Sequence, residues 1–181
     1  YHAGLVGKTA IERLAKIPVE TDIASEFRYR DPLIGKNNLL VIVSQSGETA
    51  DTLAAMRLAK SKGAKVLAVT NVVGSTASRE ADFVFYTHAG PEIAVASTKA
   101  YTTQLVAMYT LALFLAENRA GMDEAQIEYY KKGLLELPEK IEQALKNEDA
   151  IAKMSVDLTK ESDAFFLGRG LDYAVAMEGS L

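Results

Sequence analysis

Ser44-Gln45-Ser46-Gly47-Glu48-Thr49 gathers hydroxyl, carboxamide and glycine chemistry directly after the apolar run Val41-Ile42-Val43. That order reads strand, loop, helix. A helix start leaves backbone N–H groups without partners and carries the positive end of the helix dipole. Both favour an anion. Ser44, Ser46 and Thr49 add hydroxyl donors, and Gln45 an amide that donates or accepts. Gly47 lets a ligand approach the backbone closely. The loop holds no Lys or Arg and no Gly-Lys-Ser/Thr pattern. It therefore suits a monophosphate better than a triphosphate. The competing reading is simpler: Ser/Thr with a nearby Glu is also a common capping arrangement that does nothing but start a helix.

Glu92-Ile93-Ala94-Val95-Ala96-Ser97-Thr98-Lys99 forms a second polar cluster, ahead of a long apolar stretch. Ser97 and Thr98 read as N-caps. Lys99 either neutralises phosphate charge, pairs with Glu92, or is simply solvated. His2 and His88 are the two histidines, and neither has a nucleophile and an acid at a readable spacing. No His/Asp/Glu cluster has metal-ligand spacing, so no metal is expected. Gly168-Arg169-Gly170 lacks the third glycine of a dinucleotide fingerprint, and no cofactor is expected.

These residues need elements to hold them. Ala3–Lys16 has helical apolar spacing and stops at Pro18. Val19–Ile23 reads as a short strand and Ala24–Arg30 as a helical turn. Leu39–Val43 reads as a strand buried on both faces. A helix over Glu48–Lys62 follows, closed by Gly63. Lys65–Thr70 is the next strand, Ser75–Glu80 a short helix, and Asp82–Tyr86 a third strand. Helices are predicted over Lys99–Ala116, Asp123–Lys146 and Glu148–Lys160. Ala164–Leu167 reads as a strand, and Leu171–Leu181 as a helix start. Strands alternating with helices imply an α/β protein: a three-layer αβα arrangement on a parallel sheet. Phe165–Ala176 repeats the strand, glycine turn, helix order whose helix half opens the chain. That echo suggests two copies of one unit.

The 181 residues carry a net charge of −4 with 49% hydrophobic residues and no cysteine. The balance is globular. A nucleic-acid partner is not expected without a basic patch, and disulfides are impossible. Leu105–Ala116, interrupted by Thr110, is too short for a membrane span, which needs roughly 20 apolar residues. No signal pattern opens the chain, and a cytoplasmic protein is expected. The first residue is Tyr1 rather than Met, which reads as a piece of a longer protein.

Three segments taken together are more specific than any one. Ser44–Thr52, Ala24-Ser25-Glu26-Phe27-Arg28-Tyr29-Arg30 and Glu92–Ala100 resemble the sugar isomerase (SIS) part of the glutamine–fructose-6-phosphate aminotransferase (isomerizing) family. The resemblance covers nearly the whole chain and implies flavodoxin-like SIS subdomains. Residues 1–147 would be the first, lacking its first strand and phosphate loop. Residues 148–181 would be a linker helix and the start of the second. It further implies that Ser44, Gln45, Ser46 and Thr49 hold the phosphate of fructose 6-phosphate or glucosamine 6-phosphate. Val95, through its backbone, and Ser97 would touch the sugar. Glu178 would correspond to a glutamate near the active site, with the other catalytic groups outside this chain. A glutaminase domain in the parent chain and a homodimer are the implied partners. The missing first strand is expected to be replaced by Ala164–Leu167 or by another molecule. Rival functions are a SIS-type sugar-phosphate isomerase or deaminase, and the sugar-phosphate-sensing module of a transcription regulator.

Overall fold

The structure is a computed structural model that describes every residue except Val95 and Ala120. In chain order the elements are α1 (His2–Leu14), α2 (Ala24–Tyr29), β1 (Leu39–Ser44), α3 (Ala50–Ser61), β2 (Lys65–Thr70), α4 (Thr76–Glu80), β3 (Phe83–Tyr86), α5 (Lys99–Asn118), α6 (Glu124–Leu135), α7 (Leu137–Leu145), α8 (Glu148–Leu158) and α9 (Leu171–Gly179).

The strands are parallel and ordered β1-β2-β3. Ser44 lies beside Thr70, and Thr70 beside Tyr86. The strands therefore end in line, and the loops that follow them open on one edge of the sheet. Side chains alternate across a strand, and β2 divides accordingly. Leu67 and Val69 enter a core with Ile11, Met108, Leu111 and Ala112 of α1 and α5. Val66 and Ala68 enter the opposite core with Ile42, Leu53, Met56 and Ala77. The result is the three-layer αβα arrangement expected from the sequence. Each fully buried large side chain, such as Met56, contributes roughly 1.5–3 kcal/mol of transfer free energy.

α1 lies close against α5. A Cβ on Gly7 would sit 2.7 Å from Met108 Sδ, so glycine permits the approach. Ser75 caps α4 by accepting the Ser78 N–H. Asp123 caps α6 by accepting the Gln126 N–H at 2.8 Å.

Four expectations from the sequence need correction. Val19–Ile23 pairs with no strand. Its Val19 N–H instead donates to Glu12 Oε1 at 3.1 Å. A cleft of about 1210 Å³ lies along this segment and is lined by it and by Leu39–Val43 of β1. The apolar pattern is right, but a strand needs a neighbour to accept its ladder. The helix expected from Glu48 begins at Ala50, because Gly47 has φ +67° and Thr49 is extended. The helix expected over Asp123–Lys146 is divided between α6 and α7. Pro138 stands in the first turn of α7, where its missing N–H is tolerated, whereas inside a continuous helix it is not. Ala164–Leu167 forms no strand and joins no sheet. Phe165 and Leu167 are each 89% exposed, so the segment does not fill the cleft beside β1.

Candidate functional site

Ser44 ends β1 and is buried, as is Thr70 at the end of β2. From Ser44 the chain turns tightly. The Gly47 N–H donates to Ser44 Oγ at 3.1 Å, and the Glu48 N–H donates to Ser46 Oγ at 3.2 Å. Ser44 Oγ and Thr49 Oγ1 are 3.5 Å apart. Both serine oxygens thus accept from the turn that precedes the helix, and the Ser44 and Thr49 hydroxyls are within reach of each other.

The capping pattern of this helix start differs from the one the sequence suggests. Thr49 occupies the N-cap of α3 but makes no side-chain cap hydrogen bond. Glu48 does not reach back to this helix either. Its Oε1 accepts the Thr76 N–H at 2.7 Å, and that bond holds the Glu48 carboxyl below the usual carboxylate range. Among the described residues, the N–H groups of Ala50, Asp51 and Thr52 have no hydrogen-bond partner. Among the described residues, the first turn of α3 thus has no side-chain cap.

The loop is braced from behind. The Ala77 N–H donates to Gly47 O at 3.0 Å, and the Asn71 N–H to Gln45 O at 3.1 Å. The Thr70 hydroxyl donates to Gln45 O at 3.4 Å. A Cβ at Gly47 would fall 2.3 Å from Ser75 Oγ and 2.9 Å from Thr70 Oγ1. Glycine is required there twice, by φ and by space. Sequence reasoning missed Thr70, Asn71, Ser75 and Thr76 as supports, because their contacts cross from one βα loop to the next. Asn71, directly after a buried strand, is the one signal that a loop begins there.

Arg28 of α2 also comes to this corner. Its Nη1 donates to Asp51 Oδ1, in the first turn of α3, at 2.8 Å. The loop itself lacks a basic residue, so Arg28 is the cation that the fold brings to the helix start.

The segment 92–99 differs from expectation in its cap. Thr98 is the N-cap residue of α5 but caps nothing with its side chain. Glu92 does so instead, accepting the Thr98 N–H at 3.2 Å and the Ala100 N–H at 3.1 Å. The Ala100 bond leads in holding the Glu92 carboxyl below its ordinary value. Ser97 is exposed. Lys99, also exposed, makes no ion pair among the described residues. Val95 lies outside the described residues.

Glu178 on α9 accepts a hydrogen bond from His2, Nδ1 to Oε2 at 2.7 Å. His2 is buried, so it is a satisfied core histidine that ties α1 to α9. Close to Glu178, burial raises the Tyr101 hydroxyl above the usual phenol value, with the Glu178 charge adding to it. Ser44, Gln45, Ser46 and Thr49 are thus brought together in one loop. Ser97 and Lys99 share a second segment, and among the described residues no hydrogen bond joins it or Glu178 to the first.

Residues 1–114 match the SIS domain family model. A glutamine–fructose-6-phosphate aminotransferase [isomerizing] of Clostridium perfringens is 64% identical over the whole chain, of which that protein has 30% of its length matched. The chain therefore spans about 30% of the length of the curated relatives it matches. The solved C-terminal domain of glucosamine-fructose-6-phosphate aminotransferase from Francisella tularensis is 42% identical with a TM-score of 0.96, covering 99% of this chain and 51% of that one. A glucosamine-6-phosphate deaminase from Thermotoga maritima has a TM-score of 0.77 at 22% identity, covering 98% of this chain and 52% of that one, which shows a shared fold alone.

Proposed function

The chain belongs to the SIS-domain family, and on that premise we propose that it is the sugar-phosphate-binding isomerase region of a glutamine–fructose-6-phosphate aminotransferase. The whole enzyme would convert fructose 6-phosphate and glutamine to glucosamine 6-phosphate and glutamate. One observation carries the reading: the unpartnered N–H groups of Ala50, Asp51 and Thr52 at a helix start, ringed by the hydroxyls of Ser44, Ser46 and Thr49. Oriented dipoles of this kind hold a phosphate without a lysine in the loop.

In this reading Ser44, Gln45, Ser46 and Thr49 grip the phosphate, and Val95 and Ser97 meet the sugar. Lys99 adds positive charge at the sugar-facing segment. The grip fixes the distant C1 and C2 carbons, so that remote binding energy orients the reacting end. Ammonia released from glutamine in a separate glutaminase domain attacks the open-chain ketone. A proton then moves between C1 and C2 to give the aldose amine. Glu178, held by His2, stands near that chemistry, and the remaining acid–base groups come from beyond residue 181.

Residues 1–147 act as a first SIS subdomain, and residues 148–181 as a linker helix and the start of a second. Support for this division is the exposure of apolar side chains on the later elements, among them Ile151, Met154 and Phe165. The cleft between residues 17–23 and β1 runs along Leu39–Val43, and in this reading it takes one further strand of the whole enzyme. The enzyme works as a homodimer in the cytoplasm. Among the described residues no helix is long and apolar enough to cross a membrane.

The test is calorimetric titration of the full-length protein with glucosamine 6-phosphate, alongside Ser46→Ala and Thr49→Ala. A hydrogen bond to a charged group contributes about 1.5–3 kcal/mol, so each variant should bind about 10- to 150-fold more weakly. Unchanged affinity in both would reject the phosphate assignment.

A further inference from the structure

Asn71 is the first residue after β2, and its side chain is occupied on both ends by one short segment. Its Nδ2 donates to Gly90 O at 2.7 Å. Its Oδ1 accepts the Ala89 N–H at 2.8 Å and the Thr87 hydroxyl at 3.2 Å. The segment so held is not relaxed backbone. His88 has φ +51° and Gly90 φ +71°, and such left-handed turns persist where surrounding contacts over-determine them. Asn71 supplies those contacts. Its main-chain N–H meanwhile donates to Gln45 O in the phosphate loop. One residue therefore links the phosphate loop to the lip Thr87–Gly90, from which the chain runs directly into Glu92 and Ser97. Between loop and lip lies a cavity of about 400 Å³, lined in part by Gln45, Asn71 and His88. That volume is within the range of small-molecule sites.

We propose that Asn71 is a positioning residue that fixes the sugar-facing lip relative to the phosphate loop. The site then accepts a phosphate with a hexose attached rather than phosphate alone. The proposal rests on the sugar-phosphate reading above and assigns a role within the same site. The two halves of the site are separable in this structure. The phosphate loop keeps its own braces from Thr70, Thr76 and Ala77. The Asn71 backbone bond to Gln45 survives truncation of the side chain. Among the described residues the lip has no comparable set of its own: beyond Asn71 it keeps the bond from the Thr87 N–H to Thr70 O.

The experiment uses the full-length protein with Asn71→Ala and Thr87→Val. Three quantities are measured: affinity for fructose 6-phosphate, the inhibition constant of inorganic phosphate against it, and the melting temperature. Asn71→Ala should weaken the sugar phosphate about tenfold while the phosphate constant stays within twofold. Thr87→Val, which removes one hydroxyl and keeps the shape, should weaken the sugar phosphate about threefold with phosphate again unmoved. Unchanged sugar-phosphate affinity in the variants overturns the proposal. So does a parallel loss for sugar phosphate and inorganic phosphate, which would make Asn71 part of the phosphate grip. Should Asn71→Ala fail to fold, Thr87→Val decides by the same criteria. If the unsubstituted protein binds no hexose phosphate, the functional reading fails instead, and the two failures are distinct.

Discussion

Gly47→Ala is the substitution that presses hardest on the phosphate loop. Two costs can be worked out separately. Gly47 has φ +67°, where an alanine costs roughly 1–2 kcal/mol. Its new Cβ would also meet Ser75 Oγ at 2.3 Å, Ser75 Cβ at 2.8 Å and Thr70 Oγ1 at 2.9 Å. Thr70 and Ser75 are both buried, so neither can swing into solvent. Overpacking of this kind costs about 1–3 kcal/mol. The total is roughly 2–4 kcal/mol once the loop has relaxed part of the collision. Relief comes by the loop moving off α4, which breaks the Ala77-to-Gly47 and Thr76-to-Glu48 bonds that shape the helix mouth. If that relief is complete, sugar-phosphate affinity falls by about 30- to 700-fold. Gly74→Ala is the internal control. It has the same sign of φ, +76°, but no atom within 4 Å of the added Cβ. It should carry the backbone cost alone and leave affinity within about threefold. Calorimetric titration with glucosamine 6-phosphate reads both variants. Equal affinities for Gly47→Ala and the unsubstituted protein would refute the view that the loop is held in one binding shape by its contacts with α4.

Other outcomes follow from the same geometry. Gly7→Ala should lower the melting temperature, because the new Cβ would meet Met108 Sδ at 2.7 Å, Cγ at 3.0 Å and Cβ at 3.3 Å in a buried side chain, and overpacking of about 1–3 kcal/mol outweighs the roughly 1 kcal/mol by which alanine favours the helix. Met56→Ala removes a fully buried side chain and should destabilise by about 2–5 kcal/mol in denaturant titration, with the larger value if the core does not close up. The Glu92 carboxyl titrates below its ordinary value because the Ala100 and Thr98 N–H groups bond its charged form. A depressed folded pKa means the bond contributes stability above the unfolded value of about 4.3 and loses it as pH falls through the lower folded value. The protection of the Ala100 and Thr98 amides, measured against their intrinsic exchange rates, should therefore be full at about pH 6 and fall as pH drops below the ordinary glutamate range. Glu92→Gln should remove this pH response, and a persisting response would assign it to another group.

The sheet was readable from the sequence because its signals are local. Leu39–Val43 and Val66–Val69 are unbroken apolar runs, and the strands around them lie within a residue of their expected ends. The turn Ser44–Thr49 between β1 and α3 was readable for the same reason, since its hydroxyls and glycine are consecutive. What was not readable depends on partners distant in sequence. Among the described residues Val19–Ile23 has strand composition but no neighbouring strand to pair with, and in Ala164–Leu167 the apolar Phe165 and Leu167 stay exposed. The roles of Glu48 and Glu92 were ambiguous because a glutamate near a helix start can cap its own helix or another. Glu48 braces α4 and Glu92 caps α5 from outside its own element. Asn71 had no visible task until β2 and β3 were aligned at their ends.

A crystal of the full-length protein soaked with saturating glucosamine 6-phosphate tests the central claim most directly. The phosphorus atom should lie at the start of α3, with phosphate oxygens within hydrogen-bond distance of the Ala50–Thr52 N–H groups and the Ser44, Ser46 and Thr49 hydroxyls. A ligand ordered elsewhere, with that helix start holding only solvent, would contradict it.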